Sequence, residues 1–519
     1  MLNVAMIFQN HMVLQREKKI TVWGETDCHE RVSVRIQNEK AVTIPLENGT
    51  WCVEIGPLKV SKFEEMEIIC GRERILLTDI LIGDVWLAGG QSNMEFYMRY
   101  DENYEQEQRE CANSEIRFFD YPEVSYEGQL KEADYGKNFG FWRKTTQEDL
   151  EWFSAVAYYF AKELQEKLDI PIGIVGCNWG GTPACAWMTE EAIRKGKGEI
   201  FLKEYQDEIK NLDLEKYNED FMNNPASWRT DPFEDQISEL LMRGKSIEEI
   251  IQTLYGISLE DASMDASAMT PVIGPKYERR PCGLYHSMLS KIAPYGLKGF
   301  LFYQGETDGD THPECYETLF SALIEDWRKL WNEELPFLFV QIAPLNQWMQ
   351  CVGTPYVTIR NAQQNVADKV ANTAMAVTGD CGMEFDIHPK KKKPVGKRLA
   401  LQALQKVYGR DVLCEAPRLS SIDAKNNIVI LNFLNTGSGL HLQGNKEKIN
   451  GLKVQVNGNP VREESIEIEI KENSIVLASK EFQKGEITVS FGDGGWYQMN
   501  LFNSADIPVR PGKVIGVIK

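Results

Sequence analysis

A serine follows the end of a strongly apolar stretch, in a setting where its hydroxyl could act as a nucleophile. Residues 80–89 (ILIGDVWLAG) have the continuous apolar character of a strand buried in a parallel sheet, and Gly90 separates that strand from Gln91 and Ser92. Glycines allow a sharp backbone turn, so we expect Ser92 at the carboxyl edge of the sheet, where open α/β sheets bind ligands. A structural role as a helix N-cap is the alternative interpretation of Ser92.

A serine nucleophile needs a base, and the chain has six histidines. His388 lies in EFDIHP (384–389), a predicted loop after the last predicted strand, and is therefore expected at the same sheet edge as Ser92. Asp386 stands close before His388 and could orient its imidazole and stabilise the imidazolium. A loop histidine without a catalytic role is the alternative.

Two further predicted strands, 170–178 and 297–304, also run into polar loops rich in glycine. Gly180 and Gly181 follow the first strand, and backbone N–H groups without side chains beside them can approach an oxyanion. The second strand ends at Gln304, and Glu306 follows one glycine later, so an amide and a carboxylate reach that edge. A plain glycine turn is the alternative for residues 180–181. Four polar strand ends together favour acyl transfer by an activated hydroxyl.

The elements that must position these residues indicate three domains. Residues 1–78 contain short alternating stretches typical of an all-β domain, with a hairpin signal at Asn48-Gly49. Residues 79–410 alternate buried strands with amphipathic helices, which predicts an α/β domain, and residues 411–519 return to the period of two of a second β domain. Residues of about 190–267 interrupt the α/β pattern and predict an inserted helical segment, either a lid over the site or a surface excursion.

The sequence predicts individual strands and helices within the α/β domain. The predicted strands are 80–89, 170–178, 297–304, 336–343 and 372–379, and the predicted helices are 151–168, 313–331 and 394–407.

The charge of the chain argues against a nucleic-acid partner. The formal net charge is −20, whereas binding to a polyanion requires clustered Lys and Arg. The one dense basic run, Lys390–Lys393, is interpreted as a solvated helix start.

The cysteine pattern and the apolar stretches bear on compartment and cofactors. The 11 cysteines contain no CxxC pair, which indicates neither a zinc site nor a disulfide scaffold but reduced thiols. No signal peptide and no run of 18 apolar residues is visible. We therefore expect a cytoplasmic protein without a membrane partner, or a secreted or periplasmic one if a precursor was trimmed. No metal or other cofactor is expected, and the oligomeric state is not predicted.

The motifs of this chain resemble, in order, those of the sialate O-acetylesterase family within the SGNH hydrolase superfamily. The matching segments are MVLQR (12–16), GQSNME (90–95), WGGTP (179–183), YQGE (303–306), DIHP (386–389) and NLFN (500–503). The resemblance spans nearly the whole chain. It implies an SGNH-hydrolase (flavodoxin-like) three-layer α/β/α core with a parallel sheet, flanked by small all-β domains.

The resemblance also implies roles for individual residues. It implies Ser92 as nucleophile and His388 as base, with an oxyanion hole from the Ser92 N–H, a glycine N–H at Gly180 or Gly181, and the Gln304 amide. Gln91 and Asn93, on either side of the serine, are candidate substrate contacts.

Two positions depart from the family pattern. The superfamily usually places an aspartate at the position held here by Phe385, so Glu306 competes with Asp386 as the acid of the triad. Thr307-Asp308 replaces the more usual Ser-Asn, which could alter substrate contacts.

The resemblance implies hydrolysis of O-acetyl esters, with O-acetylated sialic acid as the first substrate. Acetylated xylan or another plant polysaccharide is an alternative, and a carbohydrate-binding protein without catalysis is a third. Trp142, Trp187, Trp228 and Trp348 are candidates for stacking on a sugar or for packing, and they do not distinguish one sugar from another.

Overall fold

The computed structural model describes residues 1–132, 139–223, 236–256, 272–444 and 448–519. The chain forms two compact units: Met1–Gln304 with Thr318–Phe337, and Gly305–Glu317 with Leu338–Lys519. Trp228, and residues 224–235 and 257–267 of the predicted insertion, lie outside the described residues. The predicted divisions at 78/79 and 410/411 stay predictions.

The first unit is built around a mixed sheet. The strands of this unit are Asn3–Val4, Val13–Gln15, Ile20–Glu25, Val32–Ile36, Glu39–Thr43, Thr50–Ile55, Ser61–Cys70, Glu73–Gly90, Asn113–Asp120, Trp142–Thr145, Ile172–Asn178 and Gly299–Tyr303. Of these, Asn3–Val4, Ile20–Glu25 and Thr50–Ile55 form a separate antiparallel sheet. Ile172–Asn178 pairs in parallel with both Glu73–Gly90 and Asn113–Asp120, and Gly299–Tyr303 pairs in parallel with Glu73–Gly90. Together with the helices given below, these parallel pairs confirm the prediction of an α/β fold.

The strand that leads to Ser92 is much longer than the sequence predicts. Glu73–Gly90 is one strand of 18 residues. Its first part pairs antiparallel with Ser61–Cys70, and its last part is the central strand of the parallel sheet. The residues of its last part, from Ile80 on, are almost all buried, which explains the apolar run seen in the sequence.

The sequence analysis missed the strand Asn113–Asp120. Its fifth residue, Arg117, is only 2% exposed and pairs with Asp79 at 2.8 Å. Arg117 also donates to the backbone carbonyl of His11 at 2.9 Å. A charged residue in the middle of a strand interrupts the apolar pattern. The guanidinium can be buried because these partners accept its hydrogen bonds.

The helices of the first unit include the two that the sequence predicts there, within a few residues of 151–168 and 313–331. The helices are Ser92–Glu95, Tyr104–Glu110, Gln129–Glu132, Ala155–Leu168, Glu190–Lys195, Glu199–Ile209, Leu214–Asn223, Gln236–Met242, Ile247–Tyr255, Ser290–Ile292 and most of Tyr316–Trp331. The helix predicted over 151–168 begins at Ala155, where the hydroxyl of Ser154 accepts a hydrogen bond from the Ala157 N–H and caps it. The described part of the predicted insertion is helical.

The second unit combines helices with several small sheets. Its helices are Glu306–Asp310, Tyr356–Lys369 and Lys393–Lys406, and its strands are Leu338–Val340 (the larger part of Phe337–Val340), Gln347–Trp348, Cys351–Val352, Thr373–Ala376, Arg418–Lys425, Ile428–Leu434, His441–Leu442, Leu452–Val456, Asn459–Pro460, Glu467–Lys471, Ser474–Ala478, Gly485–Phe491, Leu501–Phe502 and Gly512–Ile518. Two four-stranded antiparallel sheets in the C-terminal part share one apolar core that includes Leu431, Ile475 and Val489.

The basic run at 390–393 is not the solvated helix start that the sequence analysis expected. The helix does begin at Lys393, but Lys392 is buried, Lys391 lies 3.5 Å from Asp380, and Lys390 lies 3.0 Å from Asp386. The interpretation was wrong because Lys392 is buried and the ammonium groups of Lys390 and Lys391 are paired with carboxylates of the preceding loop, although Lys391 stays partly exposed.

Other expectations concern the membrane, metals and thiols. Across the described ranges, no helix is long and apolar enough to cross a bilayer. The same residues contain no group of three or more His, Cys, Asp or Glu side chains arranged to hold a metal ion. All 11 cysteines are free thiols.

Candidate active site

Three of the predicted polar strand ends meet at one edge of the sheet in the first unit. Gly90 is in register with Asn178 on one side and with Tyr303 on the other. The residues that follow these three positions are therefore neighbours: the serine turn, the Gly180-Gly181 turn and Gln304. Parallel pairing places them together because the carboxyl ends of parallel strands share an edge.

Ser92 is the first residue of a short helix, Ser92–Glu95, that begins directly after the strand. Gln91 occupies the N-cap position, so the N-cap interpretation of Ser92 is wrong. The Gln91 N–H donates to the Tyr303 carbonyl at 3.0 Å, and the Phe96 N–H donates to the Ser92 carbonyl at 2.8 Å. Ser92 is 8% exposed, and Asn93 beside it is buried. The turn that carries the serine is thus held by backbone hydrogen bonds.

The two glycines before this turn are required by close contacts. Gly90 has φ +132°, and a Cβ there would lie 2.2 Å from the Tyr303 carbonyl oxygen. A Cβ at Gly89 would lie 2.5 Å from the ring of Trp327. Only glycine takes the Gly90 conformation without a cost of about 1–3 kcal/mol, even before the clash is counted. The Gly-Gly pair seen in the sequence therefore reflects backbone packing at the start of the serine turn.

The Gly180-Gly181 turn packs directly on the serine helix. A Cβ at Gly180 would lie 3.3 Å from the Cβ of Ser92. The Gly180 N–H donates at 2.7 Å to the carboxylate of Glu95, which is on the same helix as Ser92. Because the Gly180 N–H donates to Glu95, Gly181 is the better candidate for the glycine donor of the predicted oxyanion hole. Gly181 has φ +73°, a conformation that side chains rarely adopt.

Glu95 is a contact that the sequence analysis did not identify. Its carboxylate is buried and ties the glycine turn to the helix of the nucleophile. Nearby, burial raises the pKa of Asp120 to about 7, opposed by the charge of Arg143 and reinforced by the charge of Glu95. The sequence shows Glu95 one helical turn after Ser92, but this spacing does not indicate that Glu95 binds the Gly180 N–H.

We predict that Glu95→Ala lowers kcat for an activated acetyl ester by about 10- to 100-fold, because it removes the charged acceptor of the Gly180 N–H. Glu95→Gln keeps an acceptor oxygen and should lose less. Steady-state kinetics with 4-nitrophenyl acetate measure both, with Glu110→Ala on an exposed position as the control. A Glu95→Ala protein with the wild-type kcat would contradict this role.

Gln304, the third predicted oxyanion donor, is buried at the end of its strand. Its side-chain amide donates to the carbonyl of Thr182 at 3.2 Å, in the glycine turn. This contact fixes the plane of the amide, and the amide nitrogen carries a second N–H. The first unit thus brings together Gln91, Ser92, Asn93, Gly180, Gly181 and Gln304.

The second unit brings together the other three predicted residues, His388, Asp386 and Glu306, which are all buried. One carboxylate oxygen of Asp386 accepts the His388 backbone N–H at 2.8 Å, and the other lies 3.0 Å from the ammonium of Lys390. The distance from His388 Nδ1 to Asp386 Oδ1 is 3.8 Å, which is too long for a hydrogen bond. Asp386 therefore shapes the histidine loop in this structure.

Glu306 lies at a small cavity that also reaches the histidine loop. Glu306, Asp386, Ile387 and Pro389 line this cavity, which has a volume of about 10 Å³, close to the room for one water. The carboxylate of Glu306 thus lies beside the residues that flank His388.

Burial controls the electrostatics of His388. The ring of Trp348 packs edge-on against the imidazole with centroids 5.3 Å apart. The pKa of His388 is held well below its usual value, first by burial and then by the positive charges of Lys390 and Lys392. A neutral imidazole is the form that can accept a proton.

We predict that Lys390→Gln moves the acid limb of the kcat/KM profile to higher pH by about 0.5 unit. The change removes a positive charge near His388 and leaves the carboxylate of Asp386 without its ammonium partner. Both effects raise the pKa of the imidazole. The neutral base is then lost earlier as the pH falls. Profiles of 4-nitrophenyl acetate hydrolysis measure the shift, and Lys397→Gln, on the exposed face of the next helix, is the control. A shift to lower pH would contradict this account.

Comparisons with known proteins point to a carbohydrate esterase. A family model for carbohydrate esterases described as sialic acid-specific acetylesterase matches residues 272–405, a range that includes Gln304, Glu306, Asp386 and His388. The sialate O-acetylesterase of Rattus norvegicus is 26% identical over 471 residues, which cover 83% of this chain and 78% of that protein. The human sialate O-acetylesterase is 25% identical over 474 residues, with coverages of 83% and 76%.

A solved structure supports the fold. A carbohydrate acetylesterase from Xanthomonas citri superimposes with a TM-score of 0.73 and 23% identity over 99% of both chains. The family model and the curated relatives together identify the protein as an esterase of the carbohydrate esterase class. The match to the sialic acid-specific acetylesterase model and the similarity to the curated sialate O-acetylesterases bear out the resemblance that the motifs indicate.

Proposed function

We propose that this chain is a serine esterase that hydrolyses O-acetyl esters of sialic acid through an acetyl-serine intermediate. The observation that carries the proposal is the turn at Ser92, a hydroxyl on a strand-to-helix turn with Gly180 packed against it. The sialic acid specificity is supported by the family model and by the names of the curated relatives. We also infer the three-layer SGNH core with flanking β domains.

In the proposed mechanism, the Ser92 hydroxyl attacks the carbonyl carbon of the acetyl ester while His388 accepts its proton. The developing oxyanion accepts hydrogen bonds from the Ser92 N–H, the Gly181 N–H and the Gln304 amide. His388 then donates the proton to the departing sugar oxygen. A water molecule, deprotonated by the same imidazole, releases acetate and restores Ser92. A carboxylate, Glu306 or Asp386, stabilises the imidazolium, and no metal takes part in these steps.

Acetate release from defined substrates tests the function. We expect the protein to release acetate from O-acetylated N-acetylneuraminic acid faster than from acetylated xylo-oligosaccharides at equal ester concentration. The opposite order would identify a plant-polysaccharide acetylesterase that uses the same residues. Failure to release acetate from any ester, with retained binding to glycans, would favour a carbohydrate-binding protein and overturn the proposal.

A further inference from the structure

An arginine side chain lies on the glycine turn beside Ser92. A Cβ at Gly181 would be 2.7 Å from Nη2, 3.3 Å from Cζ and 3.6 Å from Nε of Arg279. Three atoms of the guanidinium are thus close to one face of the glycine. The preceding residue, Gly180, packs on Ser92. The guanidinium therefore packs against the turn that contacts the nucleophile. A side chain at residue 181 would displace it.

The backbone around Arg279 is anchored on both sides. Before it, the Ser125 hydroxyl donates to the Lys276 carbonyl at 2.7 Å. After it, Arg280 donates to the Ser125 carbonyl at 2.8 Å, and the Cys282 N–H donates to the Cys185 carbonyl at 2.9 Å. These contacts hold the backbone of the segment in place, which limits the ordering that binding would require to the Arg279 side chain.

The guanidinium itself is accessible, and its ion pair with Glu278 is long. Its side chain is 44% exposed, whereas the neighbouring Arg280 turns inward to Ser125. The Tyr277 hydroxyl hydrogen-bonds with Arg279, and the carboxylate of Glu278 lies 3.7 Å from its Nε, beyond hydrogen-bonding distance. In a chain with a net charge of −20, an anionic substrate gains from a local cation of this kind.

We propose that Arg279 binds the carboxylate of an O-acetylated sialic acid and thereby selects acidic over neutral acetylated sugars. This inference rests on the proposed function. The planar guanidinium matches a carboxylate with two parallel hydrogen bonds, which an ammonium or an amide cannot reproduce. Sialic acid carries a carboxylate on its ring, whereas acetylated xylose units are neutral. Arg279 is thus a specificity-determining residue, separate from the groups that act on the ester.

The test removes the charge on either the protein or the substrate. Wild-type and Arg279→Gln proteins are compared on O-acetylated N-acetylneuraminic acid, on its carboxylate methyl ester, and on 4-nitrophenyl acetate. We expect Arg279→Gln to lower kcat/KM for the free acid by about 10- to 100-fold, mainly through KM, since charged hydrogen bonds of this kind contribute that much. Its effect on the methyl ester and on 4-nitrophenyl acetate should be less than about threefold. Arg279→Lys should fall between wild type and Arg279→Gln, and Arg194→Gln, on an exposed helix of the same unit, is the control.

The outcomes separate this inference from the proposed function. Equal losses on all three substrates would mean that Arg279 supports the turn and does not read the carboxylate. A wild-type protein that treats the free acid and the methyl ester alike would also overturn the inference, while acetate release from both would leave the esterase function intact. Absence of acetate release from every substrate would instead refute the proposed function.

Discussion

Replacing Ser92 with alanine is expected to lower kcat for acetyl ester hydrolysis on the order of 10⁴- to 10⁶-fold. The change removes the nucleophile, and the remaining groups can only polarise the ester for direct attack by water. The lost hydroxyl is small and the turn is held by backbone hydrogen bonds from Gln91 and Phe96, so the fold should be retained. Acetate release measures the rate, and the thermal midpoint checks the fold.

Two further measurements make the Ser92 prediction specific. Ser290→Ala removes a hydroxyl that donates to the His286 carbonyl one helical turn earlier, and it should leave kcat unchanged. A fluorophosphonate reagent should add one phosphonyl group to the wild-type protein at Ser92, detected by mass spectrometry, and should not label Ser92→Ala. An alanine variant with more than about 1% of wild-type kcat would refute the nucleophile assignment.

The two candidate acids should differ strongly when each is made neutral. We expect Glu306→Gln to lower kcat by about 10³- to 10⁴-fold, the loss typical of a carboxylate that orients and stabilises the catalytic imidazole. Glu306 is 3% exposed at the cavity beside the histidine loop, so its charge acts in a medium of low polarity. Glutamine preserves the shape of the side chain, removes the charge and turns one acceptor oxygen into an NH2 donor.

Asp386→Asn is expected to cost only about 10-fold or less. The carboxylate of Asp386 already accepts the backbone N–H of His388 and faces Lys390, and it lies 3.8 Å from the imidazole nitrogen. An asparagine oxygen can still accept the backbone N–H. Single-turnover acetate release compares the two variants, with Glu384→Gln in the same loop as the control. If Asp386→Asn proves the more damaging change, Asp386 is the acid, and the 3.8 Å between its carboxylate and His388 Nδ1 must shorten during catalysis.

Local patterns in the sequence predicted the elements of the sheet well. Apolar runs located the strands that end at Gly90, Asn178 and Tyr303, and their parallel register brings those ends together as expected. The family resemblance followed in part from short motifs at these strand ends, because residues that serve chemistry are concentrated there. The helices over Ala155–Leu168 and Lys393–Lys406 were equally accessible, since their apolar spacing is local.

Pairings between distant residues were not accessible to that reasoning. Glu95 and Gly180 are separated by 85 residues, and no periodicity predicts that a carboxylate meets that N–H. The strand Asn113–Asp120 was missed because Arg117 is charged, and its burial depends on partners far away in the chain, Asp79 at 38 residues and the His11 carbonyl at 106. The basic run was misread for the same reason, as Lys390 and Lys391 are matched by Asp386 and Asp380.

The sequence by itself determined the α/β fold, the family resemblance and the residues available for chemistry, because these depend on local apolar periodicity and on motifs within a few residues. Only the tertiary structure decided which partners those residues have: Glu95 on the glycine turn, Arg279 over Gly181, and Asp386 on the histidine loop rather than on its imidazole. Such contacts depend on side-chain direction and on distances of a few tenths of an ångström, which follow from packing across the fold and leave no periodic trace in the chain.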